Sequence, residues 1–246
     1  MIRVFVWNEF HSEKKYEAVR EIYPNGIHGA IADFLKVDEK LEVLTGTLHD
    51  PAQGLPDDVL NTIDVLIWWG HSRHHEVDDD LVARIQKRVH EGMGFIALHS
   101  AHMSKPFLSL MGTSGTLQWR HDDRERVWNI MPQHPIAKGI PESFEIEAEE
   151  MYGEYFDIPV PEELIFLGWF SGGEVFRAGC TWNRGWGKVF YFQPGHEEYP
   201  VYHQSEIQTI IKNAVHWAAP TAWNDRIGAP HSKVSAEERR TSAESS

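Results

Sequence analysis

Apolar positions fall into two patterns over the first hundred residues. Short apolar runs at 2–10, 40–48, 64–70 and 94–98 read as strands buried on both faces. Between them apolar residues recur at helical spacing. Pro24 is placed to open a helix carrying Ile27, Ile31 and Phe34. "LPDDVLNTI" is a short helix. Residues 78–91 form another, with Leu81, Val82, Ile85 and Val89 as its stripe, acids at its positive end and Gly92 as its stop. This β-α alternation predicts a parallel sheet with helices on both faces. Right-handed crossovers put every strand's carboxyl end on one edge, where ligands of such sheets bind.

After Gly112 the pattern changes. "TLQWRHDDRERVWNIM" and "FLGWFSGGEVFRAGCTWNRGWGKVFYFQPGHE" read as antiparallel strands, with "WNRGWG" as a hairpin turn. Residues 188–193 are the last strand and 206–217 the closing amphipathic helix. The expectation is one α/β domain over 1–223: a flavodoxin-like three-layer sandwich, mostly parallel at its centre, with extra antiparallel strands. Residues 224–246 form a polar arm with little to bury, so a neighbouring subunit is the expected means of holding it.

Composition narrows the function. The 246 residues carry a net charge of −14, so nucleic acid and acidic membrane surfaces are poor partners. No apolar run reaches the roughly 18 residues of a membrane helix. The first ten residues lack a signal-peptide layout, and the lone cysteine, Cys180, permits no internal disulfide. A cytoplasmic protein is expected. No G-x-G-x-x-G, P-loop or C-x-x-C is present, so no nucleotide cofactor is expected. Ten tryptophans and fifteen histidines suit a homo-oligomer, a sugar-lined pocket, or both.

Three strand ends deliver histidines to the predicted edge: His71 in "WWGHSRHHEV", His99 and His102 in "ALHSAH", and His196 in "PGHEEYP". Imidazoles there serve as general acids or bases, or they hold a divalent metal, zinc foremost. The candidate metal ligands are His71, His99, His102 and His196. The candidate catalytic groups are His99, His196 and Glu198. His71, Trp69, Tyr152 and Glu154 are candidate substrate contacts, Trp69 as a flat face for a sugar ring. Each has a plainer reading: loop histidines bonded to backbone, a core tryptophan, and an acidic loop at 147–156. His74 and His75 read as a solvated segment. Ser100 lacks the glycines of a G-x-S-x-G elbow, and Cys180 reads as a buried structural thiol.

"DVLIWWGHSRHHEV", "GFIALHSAH", "HPIAKGIPESFEIEAEEMYGEYF" and "GKVFYFQPGHEEYP", in that order, resemble the ThuA family of trehalose-utilisation proteins. The likeness runs from residue 2 to about residue 219. It implies a variant of the class I glutamine amidotransferase fold. In that fold a cysteine occupies the elbow after a buried strand, and a histidine followed by a carboxylate comes late. Here the elbow residue is His99 and the late pair is His196 with Glu198, so the resemblance implies no glutaminase activity. It implies a part in disaccharide catabolism beside an oxidoreductase that makes 3-keto sugars. The expected chemistry is isomerisation or elimination on a keto-disaccharide, with His99 and His196 central. A metal-dependent hydrolase and a non-catalytic sugar-binding or regulatory protein are the alternatives.

Overall fold

The computed structural model describes residues 1–243. Among them nine strands form one sheet: β1 (Ile2–Asn8), β2 (Leu41–Thr47), β3 (Val65–Trp69), β4 (Gly94–Leu98), β5 (Gln118–Asn129), β6 (Ser143–Gly153), β7 (Glu163–Phe170), β8 (Val175–Arg184) and β9 (Gly187–Phe192). Their spatial order is β2-β1-β3-β4-β9-β8-β7-β5-β6. The first five in that order pair in parallel. The remaining pairings are antiparallel. The chain is thus an α/β protein with a parallel core and an antiparallel extension.

Every residue of β3 and β4 is buried, which is why their sequences show no polar alternation. The helices are α1 (Ser12–Lys15), α2 (Glu17–Ile22), α3 (Gly26–Leu35), α4 (Asp57–Leu60), α5 (Asp79–Glu91), α6 (Lys105–Met111), α7 (Ser205–Ala218) and α8 (Ala236–Ala243). The β1-to-β2 and β3-to-β4 crossovers run in opposite directions across the sheet. Right-handedness therefore places α3 and α5 on opposite faces. α3 packs with α7, and α5 with α6. A Cβ on Gly94 would lie 2.5 Å from the Ala218 carbonyl, so only glycine lets α7 end so close to β4. None of the described helices is long and apolar enough to cross a membrane.

The parallel strands finish level. Asn8 pairs with Trp69, Trp69 with Leu98, and Leu98 with Phe192. The residues that follow them leave from one rim. Opposite, residues 147–153 are not a loop but the second half of β6. The β5–β6 pairing slips between Arg120 and Asp123, and Asp122 has a φ of +61°. Beyond the slip Trp119 faces Tyr152, and this end of the ribbon borders the rim. Of residues 224–243, Asn224 donates its N–H to the Glu91 carbonyl at 2.7 Å, and residues 236–240 of α8 are exposed.

Candidate functional site

His99 follows β4 directly and has a φ of +52°. For a residue with a Cβ this costs about 1–3 kcal/mol, so the surrounding contacts must hold it there. The ring is fully buried. Its Nδ1 donates to the Gln193 carbonyl at 2.8 Å. Its Nε2 lies 3.1 Å from Glu150 Oε2 and 3.3 Å from the Tyr152 hydroxyl. The ring stacks on Tyr152 with centroids 4.9 Å apart. Burial alone would lower the His99 pKa, but the Glu150 bond and the charges of Glu149 and Glu150 outweigh it and raise it. For Glu150, burial is opposed by the His99 bond and charge, and its pKa falls to about 2. His99 and Glu150 therefore form a buried imidazolium–carboxylate pair.

His71 is set by Glu9, which follows β1. Glu9 is buried and accepts the backbone N–H groups of His71, Ser72 and Arg73 and the Ser72 hydroxyl. The turn after β3 is thus wrapped on one carboxylate. His71 Nδ1 meets Glu197 at 2.7 and 2.8 Å. Burial opposes its protonation, yet Glu197 and the charges of Glu150 and Glu9 raise its pKa to about 9. Glu197, pulled down to about 2 against its burial, also accepts the Ser12 hydroxyl at 2.9 Å.

His196 sits beyond β9, on a turn where Gly195 has a φ of +144°. The Gly195 and His196 N–H groups donate to Glu149 at 2.8 and 3.1 Å. His196 Nδ1 accepts the Glu198 N–H at 3.2 Å. The neutral ring therefore carries its hydrogen on Nε2, and Nε2 is buried without a hydrogen-bond partner among the described residues. Burial, with the His99 charge next, pushes the His196 pKa down to about 4.

The three rings meet. Centroids are 6.2 Å apart for His71–His99, 5.1 Å for His71–His196 and 5.3 Å for His99–His196. His71 borders two clefts and His196 one of them, while His99 is buried and lines neither. One, of about 380 Å³, includes His71, Ser100, Trp119, His121, Glu150 and Tyr152 in its walls. The other, of about 340 Å³, includes Lys15, His71, Arg73, His121, His196 and Glu197. A larger hollow of about 610 Å³, between Phe34 and Lys212, contains no histidine.

The remaining sequence candidates are placed differently. Trp69 is wholly buried and donates to the Gly195 carbonyl at 3.1 Å; it supports the turn and offers no face to a sugar. Glu154 pairs with Arg177 at 2.8 Å, outside both clefts. Glu198 is exposed in the wall of the second cleft and contributes its N–H to His196; the carboxylate on His71 is its neighbour Glu197. Tyr152 is in the wall, 2% exposed. His102 also lines the first cleft, but its Nδ1 bonds the Gly115 carbonyl at 2.7 Å, burial lowers its pKa to about 3, and it joins none of the described groups able to hold a metal. His74, read as solvated, is half-buried with Nε2 unpartnered. Sequence reasoning missed Trp119, His121 and Glu150, and it gave no role to Glu9 and Glu197, although both follow strands that end on the predicted rim.

Among the described residues three groups offer donor atoms within 4.8 Å of one another: His71, His196 and Glu197; His99, Glu150 and His196; and His121, His196 and Glu198. All share His196, whose Nδ1 is engaged, so they are alternatives for one ion.

A family model described as ThuA, trehalose utilisation, matches residues 3–218. No curated protein matches the chain. Among solved structures, a ThuA-like protein from Bacteroides uniformis is similar at 17% identity and TM-score 0.62, over 88% of this chain and 91% of that one. A ThuA-like protein from Parabacteroides merdae gives 14% identity and TM-score 0.59, over 92% of each chain. PurLQS from Thermotoga maritima gives 13% identity and TM-score 0.52, over 88% of this chain and 98% of that one. These likenesses show the fold, which this chain shares with ThuA-like proteins and with PurLQS.

Proposed function

The chain belongs to the ThuA family, trehalose utilisation, and from that premise we propose that it moves a proton on a keto-disaccharide bound at the three imidazoles. The observation that carries this is the meeting of His71, His99 and His196, with Glu150 and Glu197, at one rim. Protons beside a ketone are acidic once the carbonyl oxygen is polarised. The unpartnered Nε2–H of His196 is the donor for that oxygen and for the enediolate that forms from it, while His99, its two N–H groups engaged by Gln193 and Glu150, holds Glu150 in place as an imidazolium. Glu150 is the carboxylate within reach: Oε2 holds His99, and Oε1 lies 3.8 Å from His121 Nδ1. It takes the proton from the carbon beside the carbonyl. Returning that proton to the former carbonyl carbon, while the hydroxyl proton of the adjoining carbon passes to the former carbonyl oxygen, completes an isomerisation. Expelling the glycosidic oxygen one carbon further on, with the proton held by Glu150 passing to the leaving oxygen, completes an elimination. Glu198 positions His196 by fixing its tautomer. Glutaminase chemistry finds no support, because the lone thiol, Cys180, is buried within β8.

A bound divalent cation, zinc foremost, is a second reading, favoured by the donor spacing of His99, Glu150 and His196. Such an ion supplies Lewis-acid polarisation of the sugar oxygen. His196 would have to surrender the Glu198 N–H to free an Nε2 lone pair. The test is 3-keto-trehalose in D2O followed by NMR, with elemental analysis of the same protein. Wild type should exchange the proton beside the carbonyl, and Glu150→Gln should slow exchange about a hundredfold or more. Sugar that binds and returns with no deuterium would make the protein a binder and defeat the proposal. Stoichiometric zinc would select the second reading.

A further inference from the structure

We propose that the imidazole cluster lies at the junction of a two-lobed site, each lobe taking one ring of a disaccharide, with Trp119 as the platform of the first lobe. This rests on the sugar reading above and extends it to how the substrate lies. The two clefts are separate hollows, yet both include His71 and His121 in their walls. At about 380 and 340 Å³ each sits at the small end of ligand clefts. One sugar ring suits either, and a molecule of two rings reaches both by crossing His71 and His121, the residues their walls share.

The lobes differ in chemistry. The first is walled by Met103, Leu117, Trp119 and Tyr152. Trp119 is 59% exposed, and its described ring neighbour is His121, met at an interplanar angle of 75°, so no ring stacks on its faces. The cross-strand pair Trp119–Tyr152 puts both side chains on the same side of the ribbon. Tyr152 in turn reaches His99. A pyranose has an apolar C–H face that lies flat on an indole, and an indole so placed sets that ring beside the cluster. The second lobe offers hydrogen-bonding groups instead, His11, Ser12, Lys15 and Arg73, which suit the hydroxyls of a second ring.

The test is calorimetric titration with α,α-trehalose and with glucose, on wild type, Trp119→Ala and Lys15→Ala. Trehalose should bind wild type roughly tenfold or more tighter than glucose. Trp119→Ala should weaken both sugars, trehalose by roughly tenfold to a hundredfold, with an unchanged melting temperature. Lys15→Ala should weaken trehalose and leave glucose alone. Equal affinity for the two sugars, or a Trp119→Ala protein that binds like wild type, overturns the two-lobed site. Absence of any sugar binding overturns this inference together with the function proposed above. Binding with the expected pattern but no proton exchange on 3-keto-trehalose overturns that chemistry alone.

Discussion

Glu125 gives the sharpest test of the electrostatics under the site. It lies on β5, fully buried, and neither carboxyl oxygen has a hydrogen-bond partner among the described residues. Burial, with the nearby charge of Glu149 second, raises its pKa well above the usual carboxylate range. The sign follows from linkage. Below the unfolded carboxylate pKa, both states hold the proton and stability is unaffected. Above it the unfolded chain releases the proton and the native chain keeps it, so stability falls as pH rises. The slope is about 1.4 kcal/mol per pH unit until the folded group itself ionises. Between pH 5.5 and 7.5 this one group costs at most about 2.7 kcal/mol, the figure reached when the native carboxyl keeps its proton throughout. Glu125→Gln keeps the size and removes the proton equilibrium. For a chain of this size about 2.7 kcal/mol corresponds to roughly 5–11 °C. Thermal melts of both proteins across that range should show the variant gaining on wild type by up to this much as pH rises. Melting curves that stay parallel would refute the reasoning, because they would mean Glu125 ionises natively as it does in the unfolded chain.

Other outcomes follow from the same geometry. Glu9→Ala removes the acceptor of three N–H groups and a hydroxyl; it should cost about 3 kcal/mol in urea unfolding and abolish turnover by releasing His71. His99→Val should be less stable than His99→Asn by about 1–2 kcal/mol, because asparagine tolerates the left-handed backbone at +52° and a β-branched residue does not. Cys180 is buried, and that burial raises its thiol pKa. A thiol reagent such as DTNB should therefore find nothing in the native protein and one thiol per chain in urea; rapid native reaction would contradict the placement.

The parallel half of the fold was readable because strands covered on both faces leave uninterrupted apolar runs. Their common rim then placed His71, His99 and His196 together without knowledge of any contact. β6 was not readable. Glu149 and Glu150 are buried in it and break the apolar pattern a strand reader looks for. They are tolerated chiefly through the N–H groups of Gly195 and His196 and the ring of His99, three partners distant in sequence. Trp69 failed as a sugar platform for a related reason: the turn carrying His196 lies over it and takes its N–H. Glu154 looked available until β8 brought Arg177 against it. The choice between Glu197 and Glu198 depended on the tight turn at Gly195, which spacing cannot orient.

The topology has a consequence for how the molecule is made. β9 is the last strand along the chain, yet it lies between β4 and β8. Ribosomes deliver residues 187–192 after every other strand has emerged. Until then the nascent chain holds two unfinished half-sheets, and the exposed flank of one is Phe95–Leu98, four apolar residues with nothing to pair against. A chain stopped at residue 186 should therefore clump rather than accumulate as a stable fragment, and a chaperone that shields β4 should raise the yield of the full-length protein.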